Sequence, residues 1–252
     1  MTPDRVRVAS YNIRKSRGLD GRRDPGRILD VMNALEADVI AVQEADRRLG
    51  DRPAALARQQ VETNTDFSVV EVARSPVSLG WHGNAVLVRK GAEIRRVDLI
   101  DLPGLEPRGA VKVEIGLNGA ALTVVGVHLG LLRSYRRAQA ERIRATLAQD
   151  KEGAGRTVIL GDFNEWSPRR GLEPLARDYE MVSPGRTFHS ARPVAALDRL
   201  ALGRDVALLD AGVAETGKAK VASDHLPIWG DVRLAPDAPA RAALAEPASA
   251  DR

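Results

Sequence analysis

A short apolar run, Val158-Ile159-Leu160, stops abruptly at Gly161-Asp162-Phe163-Asn164, and Ser223-Asp224-His225-Leu226-Pro227 echoes it later in the chain. A buried strand reads as such a run, and the turn-forming residues behind it mark its end. Polar groups just past a strand are held at the edge of a sheet, where catalysis is commonly built. Asp162 and Asn164 are two residues apart, so in extended backbone they would point the same way. The second segment sets a carboxylate beside an imidazole, directly before another apolar stretch. Together they point to a metal-assisted hydrolase rather than a binding module.

Composition narrows the chemistry. The chain has no cysteine, which excludes disulfides, thiolate catalysis and cysteine-ligated zinc. Met1-Thr2-Pro3-Asp4-Arg5-Val6 has no apolar core behind its basic residues, so no signal peptide is expected. No apolar run approaches the ~20 residues that cross a bilayer, and the expected location is cytoplasmic. A net charge of +4 suits a phosphate-bearing substrate, while 4% aromatic residues leave little for base-stacking platforms.

Val6 to Tyr11 alternates as a strand does and delivers Asn12 at its end. A basic, glycine-containing loop follows, and Asp24-Pro25 reads as the N-cap and first-turn proline of a helix carrying Ile28, Leu29, Met32 and Leu35. Asp38 to Val42 is a second strand, ending in Gln43-Glu44. A short helix is expected within 53–63, then strands near 67–72, 83–89, 94–99, 110–117 and 120–128. Asn118-Gly119 forms the hairpin turn between the last two, and the final strand ends in His128. Residues 134–149 are helical in composition. Further strands are expected at 157–160, 197–202, 206–213 and 226–234. The expectation is one domain over 1–234, an α/β sandwich of two mixed β-sheets packed face to face with helices outside, and a disordered Ala/Pro-rich tail over 235–252.

Six short motifs then stand in order: Ser10-Tyr11-Asn12-Ile13, Val42-Gln43-Glu44, His128-Leu129, Gly161-Asp162-Phe163-Asn164, Leu197-Asp198-Arg199 and Ser223-Asp224-His225. In this the chain resembles the endonuclease/exonuclease/phosphatase (deoxyribonuclease I-like) superfamily, across residues 6 to 232. That superfamily includes deoxyribonucleases, abasic-site endonucleases, bacterial sphingomyelinases and inositol polyphosphate 5-phosphatases, and the resemblance implies its four-layered sandwich.

Phosphoester hydrolysis needs charge neutralised on the nonbridging oxygens, an activated water and help for the leaving oxygen. Glu44 is the first choice of ligand for magnesium, with manganese a plausible substitute, since hard cations prefer carboxylate oxygens. The resemblance adds Asn12 and Asp224 as ligands or close partners of the ion. His225 is favoured as general base because an ordinary histidine pKa suits proton abstraction, with Asp198 orienting it; Asp162 remains the alternative base. Asp162 and Asn164 would position the water and phosphoryl oxygens, and His128 would donate to the phosphate or the leaving oxygen. Asn84 stands where deoxyribonuclease-like members carry a glutamate behind the first catalytic histidine, and an amide there cannot stabilise an imidazolium by charge. Arg108 resembles a substrate-proximal arginine, and Arg14 opens a basic loop that either binds a further phosphate or is merely solvated.

The reaction is better specified than the substrate. The region between Phe188 and Asp198 lacks the aromatic wedge of abasic-site enzymes. Only the Asp-Arg part of the inositol-phosphatase Pro-Ala-Trp-Cys-Asp-Arg pattern is present. His128-Leu129-Gly130-Leu131, followed by Arg136, Arg137 and Gln139, resembles the short bacterial branch. A monomeric phosphodiesterase for a small or lipid-linked substrate is therefore expected. A nonspecific magnesium nuclease acting on DNA is the alternative, and a catalytically silent phosphate-binding relative the second.

Overall fold

In a computed structural model, residues 5–117, 120–150, 153–167 and 170–234 are described; the Asn118-Gly119 turn and the 235–252 tail lie outside them. The first sheet has the order β11-β12-β1-β2-β4-β3, from β1 (Arg5–Asn12), β2 (Val39–Gln43), β3 (Phe67–Val69), β4 (Ala85–Arg89), β11 (Val206–Val213) and β12 (Ile228–Leu234). The second is β5-β6-β7-β8-β10-β9, from β5 (Glu93–Leu102), β6 (Arg108–Leu117), β7 (Ala120–His128), β8 (Thr157–Asp162), β9 (Glu180–Val182) and β10 (Asp198–Leu202). Both sheets are mixed, with β1 parallel to β2 and β7 parallel to β8 and the other pairs antiparallel.

The two sheets face each other across valines and leucines such as Val8, Val39, Val86, Val113, Val124, Val158, Leu160 and Leu200. Helix α1 (Pro25–Ala34) covers the outer face of the first sheet and α3 (Arg133–Leu147) that of the second, completing four layers. Helix α1 starts where the sequence says it should: Asp24 accepts the Arg27 N–H at 3.1 Å and Pro25 opens the first turn. Gln139, Ala140, Ile143 and Leu147 recur at helical spacing on the buried face of α3.

The helix expected over 53–63 begins only at Arg58, as α2 (Arg58–Asn64). The N–H groups of Ala54 and Ala55 are instead committed to the carbonyls of Val77 and Ala45. Two small elements, β9 and α4 (Ala219–Ala222), carry too few residues for a periodic signal.

Strand alternation positions the site. On β1, Val6 and Val8 face the inter-sheet core while Ala9 and Tyr11 face α1, so period two puts Ser10 and Asn12 on the inner side. The same count carries Val158 and Leu160 to Asp162, Leu202 and Leu200 to Asp198, and Val124 to His128. Gly126 lies on that path, and a Cβ there would stand 3.3 Å from that of Ala41 in the opposite sheet. Each inner row is thus mostly apolar and turns polar toward the same end of the sandwich.

Candidate active site

Register brings three of these groups into line: His128 on β7 pairs with Asp162 on β8, which pairs with Asp198 on β10. From the facing sheet, the Asn12 Nδ2 donates to Asp162 Oδ2 at 3.0 Å. Ser223 Oγ donates to the Asn12 carbonyl at 2.6 Å, tying the Ser223-Asp224-His225 segment to the end of β1. His225 Nδ1 lies 2.8 Å from Asp198 Oδ2, which also accepts from Thr187 Oγ1 at 2.6 Å. Asp162 Oδ2 stands 3.7 Å from His225 Nε2 and 3.5 Å from His128 Nε2. Asn12, His128 and His225 thus converge on one carboxylate, and all four residues are buried.

Burial and charge set the protonation. Burial alone raises the Asp162 pKa, and Asp198 raises it further, while His225 and the N–H donors oppose, leaving it about 6. Burial would lower His225, but Asp198 and Asp162 outweigh it and hold the imidazole well above its ordinary value, at about 10. The ordinary histidine pKa expected at His225 is therefore corrected: two carboxylates surround a ring removed from water. His128 goes the other way, pushed well below the usual range by burial and then by the Arg108 cation. It stays neutral.

Asn164 does not continue the strand. Its φ is +52°, its N–H bonds Asp162 Oδ1 at 2.9 Å, and its side-chain amide donates to the Leu129 carbonyl at 2.9 Å. The expectation that Asp162 and Asn164 point the same way fails because β8 ends at Asp162, whose own carboxylate turns the chain.

Beside His128 opens a cleft of ≈ 270 Å³, lined in part by Lys15, Glu44, Arg48, His82 and Arg108. Arg108 is buried; its Nη2 donates to Glu106 at 2.8 Å, and its Nε has no partner among the described residues. Asn84 lies outside the lining of this cleft and donates to the Gly109 carbonyl at 2.9 Å. The basic loop is largely folded onto itself: Arg17 donates to Gly21, Arg23 to the Lys15 carbonyl, and Arg27 to Asp20.

Glu44 and Asp224 each meet a cation of the chain. Lys15 Nζ contacts Glu44 Oε2, and Arg14 Nε lies 3.1 Å from Asp224 Oδ2. Among the described residues, Asn12 Oδ1 accepts only the backbone N–H of Arg14, at 3.1 Å. These are hard oxygen donors, and the carboxylates are mostly buried with basic side chains as their counter-charges. That donor set fits a magnesium-type ion. A second group of possible ligands among the described residues is Asp162, Asp198 and His225, whose ligand atoms lie within 4.8 Å of one another.

Sequence reasoning missed several groups here. Lys15 lies in the basic loop that follows β1, and its place three residues after Asn12 is a usable clue. Thr187, which fixes Asp198, and Phe188, whose ring centroid lies 5.1 Å from that of His225, carried no signal at all. Glu165 was equally silent, yet it is fully buried against Arg133 and Arg136.

Known proteins of similar sequence and fold place the chain in a family. The chain is 26% identical over 221 residues to the uncharacterized protein YbhP of Escherichia coli K12, covering 81% of this chain and 87% of that protein. It superposes with a TM-score of 0.70 on the mannosyl-6-phosphatase Bt3783 of Bacteroides thetaiotaomicron, at 14% identity over 90% of this chain and 99% of that one. It superposes at 0.65 on D. rerio TDP2 complexed with a single-strand DNA product, at 16% identity, covering 91% and 99%. At these identities the likeness to the two structures is one of fold. The model of the Endonuclease/Exonuclease/phosphatase family matches residues 9–225, nearly the whole span from β1 to His225, and the chain belongs to that family.

Proposed function

We propose that the protein is a divalent-metal-dependent phosphoesterase, hydrolysing a phosphodiester of a small or lipid-linked substrate by attack of water at phosphorus. The convergence of Asn12, His128 and His225 on Asp162 carries this reading. It sets a carboxylate of raised pKa, a charged imidazole and a neutral imidazole side by side, and the neutral one, His128, lines a cleft together with Arg108.

Glu44, Asp224 and Asn12 would hold magnesium, with manganese as substitute. When bound, the ion supplies charge neutralisation for the nonbridging and leaving oxygens. Thr187 and Asp198 fix the His225 ring and keep a proton on Nδ1, turning Nε2 toward Asp162. As the water oxygen bonds to phosphorus, its proton passes to the Asp162–His225 pair. With a pKa of about 6, Asp162 is ionised at neutral pH and is the member able to accept it. The His225 imidazolium then faces the negative phosphoryl oxygens. The P–O bond to the leaving oxygen breaks; neutral His128 hydrogen-bonds that oxygen through its N–H, and the proton taken from the water passes back from the Asp162–His225 pair, through solvent, to complete the alcohol. Arg108 contacts the phosphate from the cleft, and Asn164 holds the turn that presents Asp162. The nuclease alternative draws support from TDP2, a protein of this fold complexed with a DNA product.

The test is hydrolysis of bis(p-nitrophenyl) phosphate with magnesium or manganese, and with the metal chelated. Asp162→Asn and His225→Ala should each lower turnover by about a hundredfold, the loss expected when a proton acceptor or its partner is removed. Near-wild-type turnover in either variant sinks the assignment. No turnover with any metal favours a silent phosphate binder, whereas plasmid nicking lost in His225→Ala moves the substrate to nucleic acid.

A further inference from the structure

Among the described residues ten large apolar side chains are exposed, and all but Ile94 and Leu209 lie on segments at the active-site end of the sandwich. Scattered apolar residues on a surface mean little, but concentration on one face marks an interaction site. Strand direction establishes the concentration. Leu131 and Leu132 follow the end of β7 at His128, and Trp166 follows the end of β8 at Asp162. Leu105 sits in the turn before Arg108, whose strand pairs with the His128 end of β7. Leu49 follows β2, and Val194 precedes Asp198.

These tips are held rigidly. Buried Gln139 accepts the Gly130 N–H at 2.8 Å and donates to the Pro103 carbonyl at 2.8 Å, clamping the loops of Leu131 and Leu105 together. Buried Arg136 bonds the Gly130 and Leu131 carbonyls on one side and Glu165, the neighbour of Trp166, on the other. Arg199 donates to the carbonyls of Glu165 and Ser167 at 2.7 and 3.0 Å. The Trp166 ring centroid stands 6.3 Å from that of Phe188, which packs on His225, so the apolar face borders the reactive groups directly.

Positive charge accompanies three of the tips. Exposed arginines adjoin them in Arg47-Arg48-Leu49, Leu131-Leu132-Arg133 and Arg192-Pro193-Val194. Among the described residues neither Arg47 nor Arg192 has a carboxylate partner. Aliphatic and indole groups interleaved with guanidinium groups match the acyl–headgroup boundary of an anionic bilayer, where apolar tips insert and cations meet lipid phosphates. A nucleic-acid backbone would use the cations and leave the leucines in water.

We propose that this end of the sandwich docks on an anionic lipid bilayer, so that a lipid-linked phosphoester is presented to Asp162 and His225 at headgroup level. The choice of substrate rests on the phosphoesterase reading; the docking does not.

The experiment is cosedimentation of the full chain, as His225→Ala to spare the lipid, with vesicles of phosphatidylcholine alone or with about a third phosphatidylglycerol. Binding to the anionic vesicles is expected, weakening as salt rises, and falling by at least about tenfold in Leu131→Ser/Leu132→Ser/Trp166→Ser. In a His225-intact background the same triple substitution should leave hydrolysis of bis(p-nitrophenyl) phosphate unchanged. Trp166 is the exposed member of the three tryptophans, so anionic vesicles should also shift its fluorescence to the blue, and Trp166→Phe should abolish the shift. That readout stands should the triple variant fail to fold. No vesicle binding, binding unchanged in a folded triple variant, or no Trp166 shift overturns the docking. Binding without turnover of any phosphoester overturns the phosphoesterase reading alone.

Discussion

Glu165→Gln isolates the ion network beneath the active-site loops. The Glu165 carboxylate is fully buried and accepts from Arg136 at 2.8 and 3.1 Å, from Arg133 at 2.9 and 3.1 Å, and from the Ser167 N–H at 2.9 Å. Burial acts to raise its pKa, but these donors outweigh it and bring the group from 4.5 down to about 2. Glutamine has nearly the shape of the protonated acid, so the substitution does at every pH what acid does to the native residue. A fall of that size corresponds to about 3 kcal/mol of stability at pH 7, in line with the ~3–5 kcal/mol cost of leaving a buried partner charge uncompensated. For a chain of this size that is a drop of roughly 6–12 °C in Tm. The direction with pH follows from a depressed carboxylate pKa: the contribution is complete above the unfolded value near 4.5 and is lost as pH falls toward 2. The gap between native and Glu165→Gln should therefore shrink to under about half its size at pH 3. Urea unfolding followed by circular dichroism, at neutral and acid pH, measures both quantities. A gap below about 1 kcal/mol at pH 7, or one that does not change with pH, refutes the network as described.

Two further outcomes probe the site itself. In chelator-treated protein the His225 ring should remain charged well above pH 7 by NMR titration, and Asp198→Asn should bring its pKa down toward the ordinary histidine value; an ordinary value in the native protein would contradict the geometry. Because that pKa is raised, the stability it contributes is full below pH 6.5 and fades as pH rises toward about 10. Gly161→Ala should cost more than about 2 kcal/mol and abolish turnover, since φ is +154° there and an added Cβ would run into the Val127 carbonyl oxygen. A folded, active Gly161→Ala would show that the β7–β8 register does not control Asp162.

Much of this was legible without coordinates because it is local. Alternating apolar residues mark β1, β7 and β8, and the polar residue at each strand end continues the inner row by period two. Asp24-Pro25 states where α1 begins. The order of six short motifs was enough to indicate the family, and with it two mixed sheets and four layers. Sequence could not show that Asn164 leaves the strand, because that depends on a hydrogen bond from its own N–H to a carboxylate that the sheet holds still. Nor could it show the charge state of His225. An imidazole between Asp198 and Asp162 is set by residues from different strands, together with a depth of burial that no linear spacing records.

The strand and helix pattern, and the residue types available at the strand ends, are written locally in the chain, since period and capping act over a few residues. The packing of the sheets sets which of those residues lie within proton-transfer reach, which cations sit on Glu44 and Asp224, and that Glu165 and Gln139 lock the loops bearing the apolar tips. Those are interactions between segments far apart in the chain, and their strength depends on distance and on exclusion of water.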